Sequence, residues 1–350
     1  MADPRFWKNK KVFITGHTGF KGAWLCLWLN LMGAKISGYA LRPPTRPSLF
    51  DLCGVDEIVS SHTADIRNFR ALRSALISEK PEIVIHMAAQ PLVRESYSDP
   101  VGTYTTNVIG TVNLLEAVRS CGGVKALVNV TTDKCYENKE SSRGYREADP
   151  LGGFDPYSSS KACSELVTAA YRSSFLGDKM SVATARAGNT IGGGDWGADR
   201  LVPDLIKALM KSRKLLIRSP RSVRPWQHVL EPLSGYLLLS ERLYEDGAKY
   251  AEAWNFGPDH KDARNVEWIV KRLISKLGGV SYAVDRSKQP HETSYLSLDA
   301  SKAKKRLGWR PVWDVETAID MVVDWTNAYK AGKDVKKVCL DQIKTYMEEK

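Results

Sequence analysis

Residues 11–22 read KVFITGHTGFKG, and the fold turns on how that run is parsed. KVFITG (11–16) is apolar enough for a buried strand. FKGAWLCLWLNLMG follows with the length of a helix and ends in Gly33, a natural C-cap. Gly16, Gly19 and Gly22 fall between the two. Glycine at a strand-to-helix turn permits a tight bend, close approach of a diphosphate, and close packing of helix on sheet. The helix start then turns free N–H groups and the positive end of its dipole toward the phosphates. A tight structural turn would use the same residues, so the spacing alone is weak; its strand–turn–helix setting points to a dinucleotide.

The chain repeats that alternation. AKISGYAL reads as a second strand, and NFRALRSALISEK as an amphipathic helix with Phe69, Leu72, Leu76 and Ile77 on one face. EIVIHMAA, VKALVNVTT and SVATARAGN read as further apolar strands, with TNVIGTVNLLEAVRSCG and YSSSKACSELVTAAYRSSF as helices between them. Near-continuous apolar strands alternating with helices predict an α/β fold, a Rossmann-type doubly wound parallel sheet covered on both faces. Past about residue 190 the alternation loosens into Gly-rich and Pro/Arg-rich stretches. The expected division is a dinucleotide-binding domain over 1–188, carrying the catalytic helix, and a smaller C-terminal substrate-binding lobe over 189–350, with some segments returning to the main sheet.

The 350 residues are 43% hydrophobic and 26% charged, as in a soluble globular protein. MADPRFWKNKK has no apolar core for a secretory signal, and no long uncharged apolar stretch predicts a membrane span. The six cysteines lack metal-ligand spacing, so they read as reduced thiols in a cytoplasmic protein without a structural metal. The net charge of +11 is spread along the chain, with no run of five basic residues. That argues against nucleic acid as a partner and suits an anionic small ligand such as a nucleotide.

Ala40–Leu41–Arg42 stands where an acid would favour NAD through its ribose. Arg42 can instead face a 2′-phosphate, so both NAD and NADP stay open. Asp65–Ile66 suits either the adenine rim or a helix N-cap. Tyr157 and Lys161 are four apart on a helix, which places them on one face about 5–6 Å apart at Cβ. A free tyrosine, with pKa about 10, is a poor base at neutral pH; lowering it by about three units takes about 4 kcal/mol. One cation at about 4 Å, at an effective dielectric of about 20, supplies about that much. A Tyr–Lys pair can therefore take the proton of an alcohol while hydride leaves its carbon.

These motifs together resemble the extended short-chain dehydrogenase/reductase family, in its nucleotide-sugar branch, over nearly the whole chain. TGHTGFKG is similar to the family's glycine loop, which implies cofactor contacts at His17 and Phe20 as well as the glycines. HMAAQ (86–90) is similar to its fourth-strand motif, implying cofactor contacts at Ala88 and Ala89 and a substrate contact at Gln90. YSSSKACSE, RAGNTIGGGDW, RPWQHV, NFGP and LDASKAKKRLGWRP match further family segments. The 4,6-dehydratases of this branch carry Thr-Asp-Glu after a strand; here Thr132–Asp133–Lys134 stands there. AAQPLVRESY and TTDKCY look most like the members acting on CDP-glucose, whose triplet ends in lysine.

The resemblance implies a lyase reaction. Tyr157 takes the proton of the 4-hydroxyl as hydride passes to NAD, and Thr132 holds the 4-oxygen. The 4-ketone makes the C5 proton acidic, Asp133 as its acid form protonates the departing 6-hydroxyl, and hydride returns to C6. Lys134 is either the neutral C5 base or a cation that stabilises the enolate. Asn189, Arg200 and Arg224 are the candidate substrate-diphosphate contacts, although each arginine equally suits a surface ion pair. His17 is bulkier than the residue many relatives use and is expected to weaken cofactor binding. His291–Glu292 stands where relatives often continue with nucleotide-binding arginines. Val108, Val112 and Leu115, with helix 157–175, are the faces that would pair as a four-helix bundle in a homodimer or homotetramer, or else pack inside one chain. The product would feed 3,6-dideoxyhexose synthesis for a bacterial surface polysaccharide such as O-antigen lipopolysaccharide. The rival readings are another nucleotide-sugar epimerase, reductase or 4,6-dehydratase acting on a GDP-, UDP- or dTDP-hexose, and a dinucleotide-binding regulatory protein. Asp133–Lys134 argues against the epimerase and the intact Tyr157–Lys161 pair against the regulator.

Overall fold

A computed structural model describes residues 2–141, 143–177, 180–287 and 293–349. Its centre is a parallel sheet built from β1 (Lys11–Thr15), β2 (Lys35–Ala40), β3 (Ser60–Thr63), β4 (Ile83–His86), β5 (Ala126–Val130), β6 (Ser181–Ala187) and β7 (Ala253–Phe256). The seven strands lie in the order β7-β6-β5-β4-β1-β2-β3. All six pairings are parallel, with Val12 beside Ile36 on one side and Ile83 on the other. Strand order reverses at β1, where β4 departs to the other side, and that is where ligands sit in doubly wound sheets. Every residue of β4, β5 and β6 is buried, as expected for strands covered on both faces.

The covering helices include α1 (Phe20–Leu31), α2 (Phe69–Glu79), α3 (Gly110–Cys121) and α4 (Pro156–Tyr171). In α2 the buried stripe is Leu72, Ala75 and Leu76, whereas Ile77 is exposed. The helix turns Ile77 about 100° from Leu76, and the small Ala75 takes the inner position instead. In α3, Leu115 packs in the chain's own core and Val112 is half-buried, as is Val108 in the turn just before it. The outward apolar residues of this region are Val101, Tyr104 and Ile109, with Leu166 and Phe175 on and beyond α4.

β7 belongs to the late part of the chain yet hydrogen-bonds to β6, Trp254 lying beside Ala185. The rest of that part includes α5 (Leu201–Met210), α6 (Leu230–Asp246), α7 (Val266–Leu277), α8 (Val315–Lys330) and α9 (Val335–Glu348). Short strand pairs, such as Val223–Pro225 with Ala263–Asn265, tie it together beside the carboxyl ends of the main strands. No helix among the described residues is long and apolar enough to cross a membrane. The six cysteines are free thiols.

Candidate active site

The glycine turn after β1 is closed by steric necessity. Gly16 has φ +80°, and a Cβ there would sit 2.7 Å from the Ala88 nitrogen. A Cβ on Gly22 would sit 2.3 Å from the Gly16 carbonyl oxygen. Gly19 is less confined, its nearest neighbour being the Gly16 oxygen at 3.4 Å. Gly19 is the N-cap of α1, and no side chain caps that helix. A bare helix start at the end of a buried strand, above a glycine cradle, fits the diphosphate of a dinucleotide.

His17 is fully buried rather than standing in the mouth of the turn. Its Nε2 lies 2.7 Å from Ser61 Oγ, and its ring fills the notch left by Gly38, where a Cβ would come within 2.4 Å of it. Burial first, and the charge of His62 second, pull its pKa down to about 4, so the ring is neutral. The expected obstruction by bulk is therefore absent from this geometry, because Gly38 on β2 makes room for it. Arg42 is exposed at the end of β2. Asp65 is neither a cap nor an open rim acceptor: its carboxylate pairs with Arg67 at 2.6 Å, and Asn68 caps α2. Ile66 is buried against Gly110 of α3. Ala88 and Ala89 are half-buried beyond β4, Ala88 touching the Gly16 turn.

A cavity of about 510 Å³ opens across the carboxyl ends of β1, β5 and β6 toward the C-terminal lobe. Phe20, Thr132, Asp133, Lys134 and Tyr157 line its floor, and Asn189, Arg200 and Arg224 its far wall. Gln90 is not in that lining. Its amide is tied into its own turn, Nε2 donating to Thr103 Oγ1 at 2.8 Å and Oε1 accepting from the Leu92 N–H at 2.5 Å. Its neighbours Pro91 to Arg94 reach the cavity instead, a reversal that chain direction alone does not reveal. His291–Glu292 lies outside the described residues.

The corner after β5 is held from below. The Thr131 N–H still donates to Ala185 on β6 at 2.9 Å, and its hydroxyl donates to Glu165 of α4. Glu165 pairs with Arg186 at 2.8 Å, both side chains buried. The chain then turns through a short 3-10 helix, Asp133–Cys135, with Thr132 as its cap. The Thr132 hydroxyl donates to Asp133 Oδ1 at 3.0 Å. Asp133 is 2% exposed, and its Oδ2 has no hydrogen-bond partner. Burial raises its pKa above the ordinary carboxylate value, against the pull of Lys134, Thr132, Arg224 and Lys21. A buried carboxyl with one unpaired oxygen favours its protonated form.

Tyr157 enters from α4, whose start is set by Pro156 and by Asp155 accepting from the Ser158 N–H at 2.9 Å. Tyr157 and Lys161 are both buried on the same helix. The pair does not yet work as an acidified phenol. Burial pushes the Tyr157 phenol up to about 12, with the Thr132 hydroxyl pulling the other way. Lys161 donates to the Val130 carbonyl at 3.1 Å, and burial together with the charge of Lys21 lowers it to about 8. Desolvation therefore outweighs the Thr132 hydroxyl and the charge of Arg200, which pull the phenol down. Arg200 pairs with Asp195 at 3.1 Å, and Arg224, 7% exposed, donates to the Val223 and Thr293 carbonyls. Lys21 also lines the cavity; it stood inside the quoted glycine run, and a lysine in the first turn of a helix, against the dipole, was the signal for it.

The sheet order, the glycine cradle and the Tyr–Lys helix beside it define an extended short-chain dehydrogenase/reductase. Within that class the chain belongs to the family described as GDP-mannose 4,6 dehydratase, which matches residues 13–322. It is 51% identical to a CDP-glucose 4,6-dehydratase of Salmonella typhimurium over 354 aligned residues, covering 99% of each chain. The fold is shared with a dTDP-glucose 4,6-dehydratase of Bacillus anthracis solved in complex with NAD, at TM-score 0.77 and 23% identity over 93% of this chain and 99% of that one. It is also shared with a UDP-glucose-4-epimerase of Stenotrophomonas maltophila, at TM-score 0.82 and 20% identity over 93% of this chain and all of that one. The fold is thus common to a dehydratase and an epimerase, so fold alone does not fix the reaction.

Proposed function

We propose that the chain is an NAD-dependent nucleotide-sugar 4,6-dehydratase that converts CDP-glucose to CDP-4-keto-6-deoxyglucose. The likeness to the Salmonella enzyme along the full length supports the substrate. The reaction type is carried by Asp133, a buried carboxyl in the cavity wall whose pKa burial raises and whose Oδ2 has no hydrogen-bond partner. An acid donor is what a departing hydroxyl requires, and an epimerase has no use for one there.

NAD would supply the hydride acceptor for oxidation at C4 and, once reduced, the hydride donor for C6. Gly16, Gly19 and Gly22, the start of α1 at Phe20, and Ala88 and Ala89 would hold it, with Arg42 at the adenosine end. Tyr157 removes the proton from the 4-hydroxyl, and Thr132 fixes the 4-oxygen. Lys161, one helical turn along from Tyr157, would offset part of the burial that holds the phenol near 12, as would the cationic ring of the oxidised cofactor. The 4-ketone acidifies C5–H, and Lys134 takes that proton. The C6–O bond breaks as Asp133 protonates the hydroxyl, so water leaves and C5=C6 forms. Lys134 then returns its proton to C5 as hydride reaches C6. Arg200, Arg224 and Asn189 bind the substrate's diphosphate.

The exposed apolar residues Val101, Ile109, Leu166 and Phe175 support pairing of two copies through a four-helix bundle, as a homodimer or homotetramer. Free thiols suit a reducing compartment, and the cytoplasm is the proposed location. The deciding experiment incubates the protein and NAD with CDP-, dTDP-, GDP- and UDP-hexoses and reads the ultraviolet absorbance of a 4-keto sugar in base. Turnover of CDP-glucose above the others is expected; selective turnover of a different nucleotide would remove the substrate assignment.

A further inference from the structure

The cavity wall contains a cation that the mechanism above does not use. Lys21 stands in the first turn of α1, directly after the cap Gly19 and Phe20, and lines the same cavity as Thr132, Asp133 and Tyr157. The other cations around it are committed. Arg200 holds Asp195 at 3.1 Å, Arg218 and Arg94 hold Asp199 at 2.9 and 3.1 Å, and Lys161 is on the Val130 carbonyl at 3.1 Å. The Lys21 ammonium has no hydrogen bond or ion pair with any described residue. Asp133 and Asp195 attract it only from beyond contact, and Arg200 repels it.

The protein itself offers this ammonium little compensation. A positive charge in the first turn opposes the helix dipole, and this half-buried ammonium has given up part of its hydration without gaining a partner. Burial accordingly draws its pKa down to about 8, which still leaves it mostly charged at neutral pH. The anion that would relieve all of this must come with a ligand, and both expected ligands carry a diphosphate. Resting on the dehydratase reading, we infer that Lys21 is an anchoring cation for a diphosphate in this cavity, its ammonium pairing with a phosphoryl oxygen of either the sugar nucleotide or the dinucleotide.

Calorimetric titration of the full-length protein tests this in two arms, NAD alone and CDP in the presence of NAD, for the wild type, Lys21→Met and Lys21→Arg. Loss of one charge-assisted contact is expected to weaken one ligand by about 10- to 100-fold in Lys21→Met. Lys21→Arg is expected to stay within about threefold of the wild type. The arm that weakens identifies the diphosphate: CDP for the substrate, NAD for the cofactor. Equal affinities of the wild type and Lys21→Met in both arms would overturn the assignment while leaving the dehydratase reading intact. A wild type that binds neither ligand would remove both. Thermal melting checks the fold, and Lys21→Gln replaces Lys21→Met if the latter unfolds.

Discussion

The two ends of the cavity are built on opposite principles. At the glycine turn the structure depends on atoms that are missing: a methyl on Gly22 would lie 2.3 Å from a carbonyl oxygen, and one on Gly16 2.7 Å from a backbone nitrogen. At the β5 corner it depends on side chains that are present and poorly satisfied, above all Asp133 with its unpaired Oδ2. The first end is a matter of shape, and it sits in a fold that this chain shares with an epimerase at TM-score 0.82. The second end is where the proposed chemistry falls. Changes at the turn should therefore appear as lost stability, and changes at the corner as lost chemistry in a stable protein.

The largest effect is expected from Tyr157→Phe. Removing the proton acceptor should lower turnover of CDP-glucose by about 10²- to 10⁴-fold, read as 4-keto product, with an unchanged melting temperature. Wild-type turnover in that variant would leave the Tyr–Lys pair without a role. Next comes Asp133→Asn, expected to slow product formation by about 10²-fold or more while C4 oxidation continues, so that reduced-cofactor absorbance builds up in a single turnover. An Asn variant that eliminates water at the normal rate would place the acid elsewhere.

Gly22→Ala reverses the pattern. The added methyl must push the Gly16 turn aside, so denaturant titration should show a loss of about 1–3 kcal/mol. A variant of full stability would mean that the turn yields more easily than its contacts indicate. The smallest effect lies in the pH dependence of stability. Burial holds the folded-state Asp133 carboxyl above its ordinary value, so its stabilising contribution is complete below the ordinary carboxylate range and is lost as pH climbs through the raised value. Asp133→Asn should flatten that part of the melting profile and gain on the wild type toward neutral pH. A decline with pH as steep as in the wild type would assign the slope to other groups.

What was legible in the sequence was local. Strand and helix alternation, the three glycines, the four-residue Tyr157–Lys161 interval and the Thr132–Asp133–Lys134 triplet are each contained within a few residues, and the periodicities of strand and helix place them. What was not legible depends on residues distant along the chain. His17 folds inward because Gly38, on the next strand, leaves a notch. Gln90 is turned away by Thr103. Leu115 faces the core because α3 packs on the sheet through that side, and Asp65 is occupied by Arg67. The phenol of Tyr157 illustrates the limit of pairwise reasoning: a cation four residues away acidifies it in principle, but burial is the largest influence and decides the direction.

The most direct test of dehydration follows a single hydrogen. CDP-glucose carrying deuterium at C4 is turned over by the protein with NAD, and the label in the product is located by NMR. Deuterium in the C6 methyl group is expected, since the hydride removed beside Tyr157 must return one elimination later. Deuterium still on C4, with both epimers present, would contradict dehydration and make the chain an epimerase.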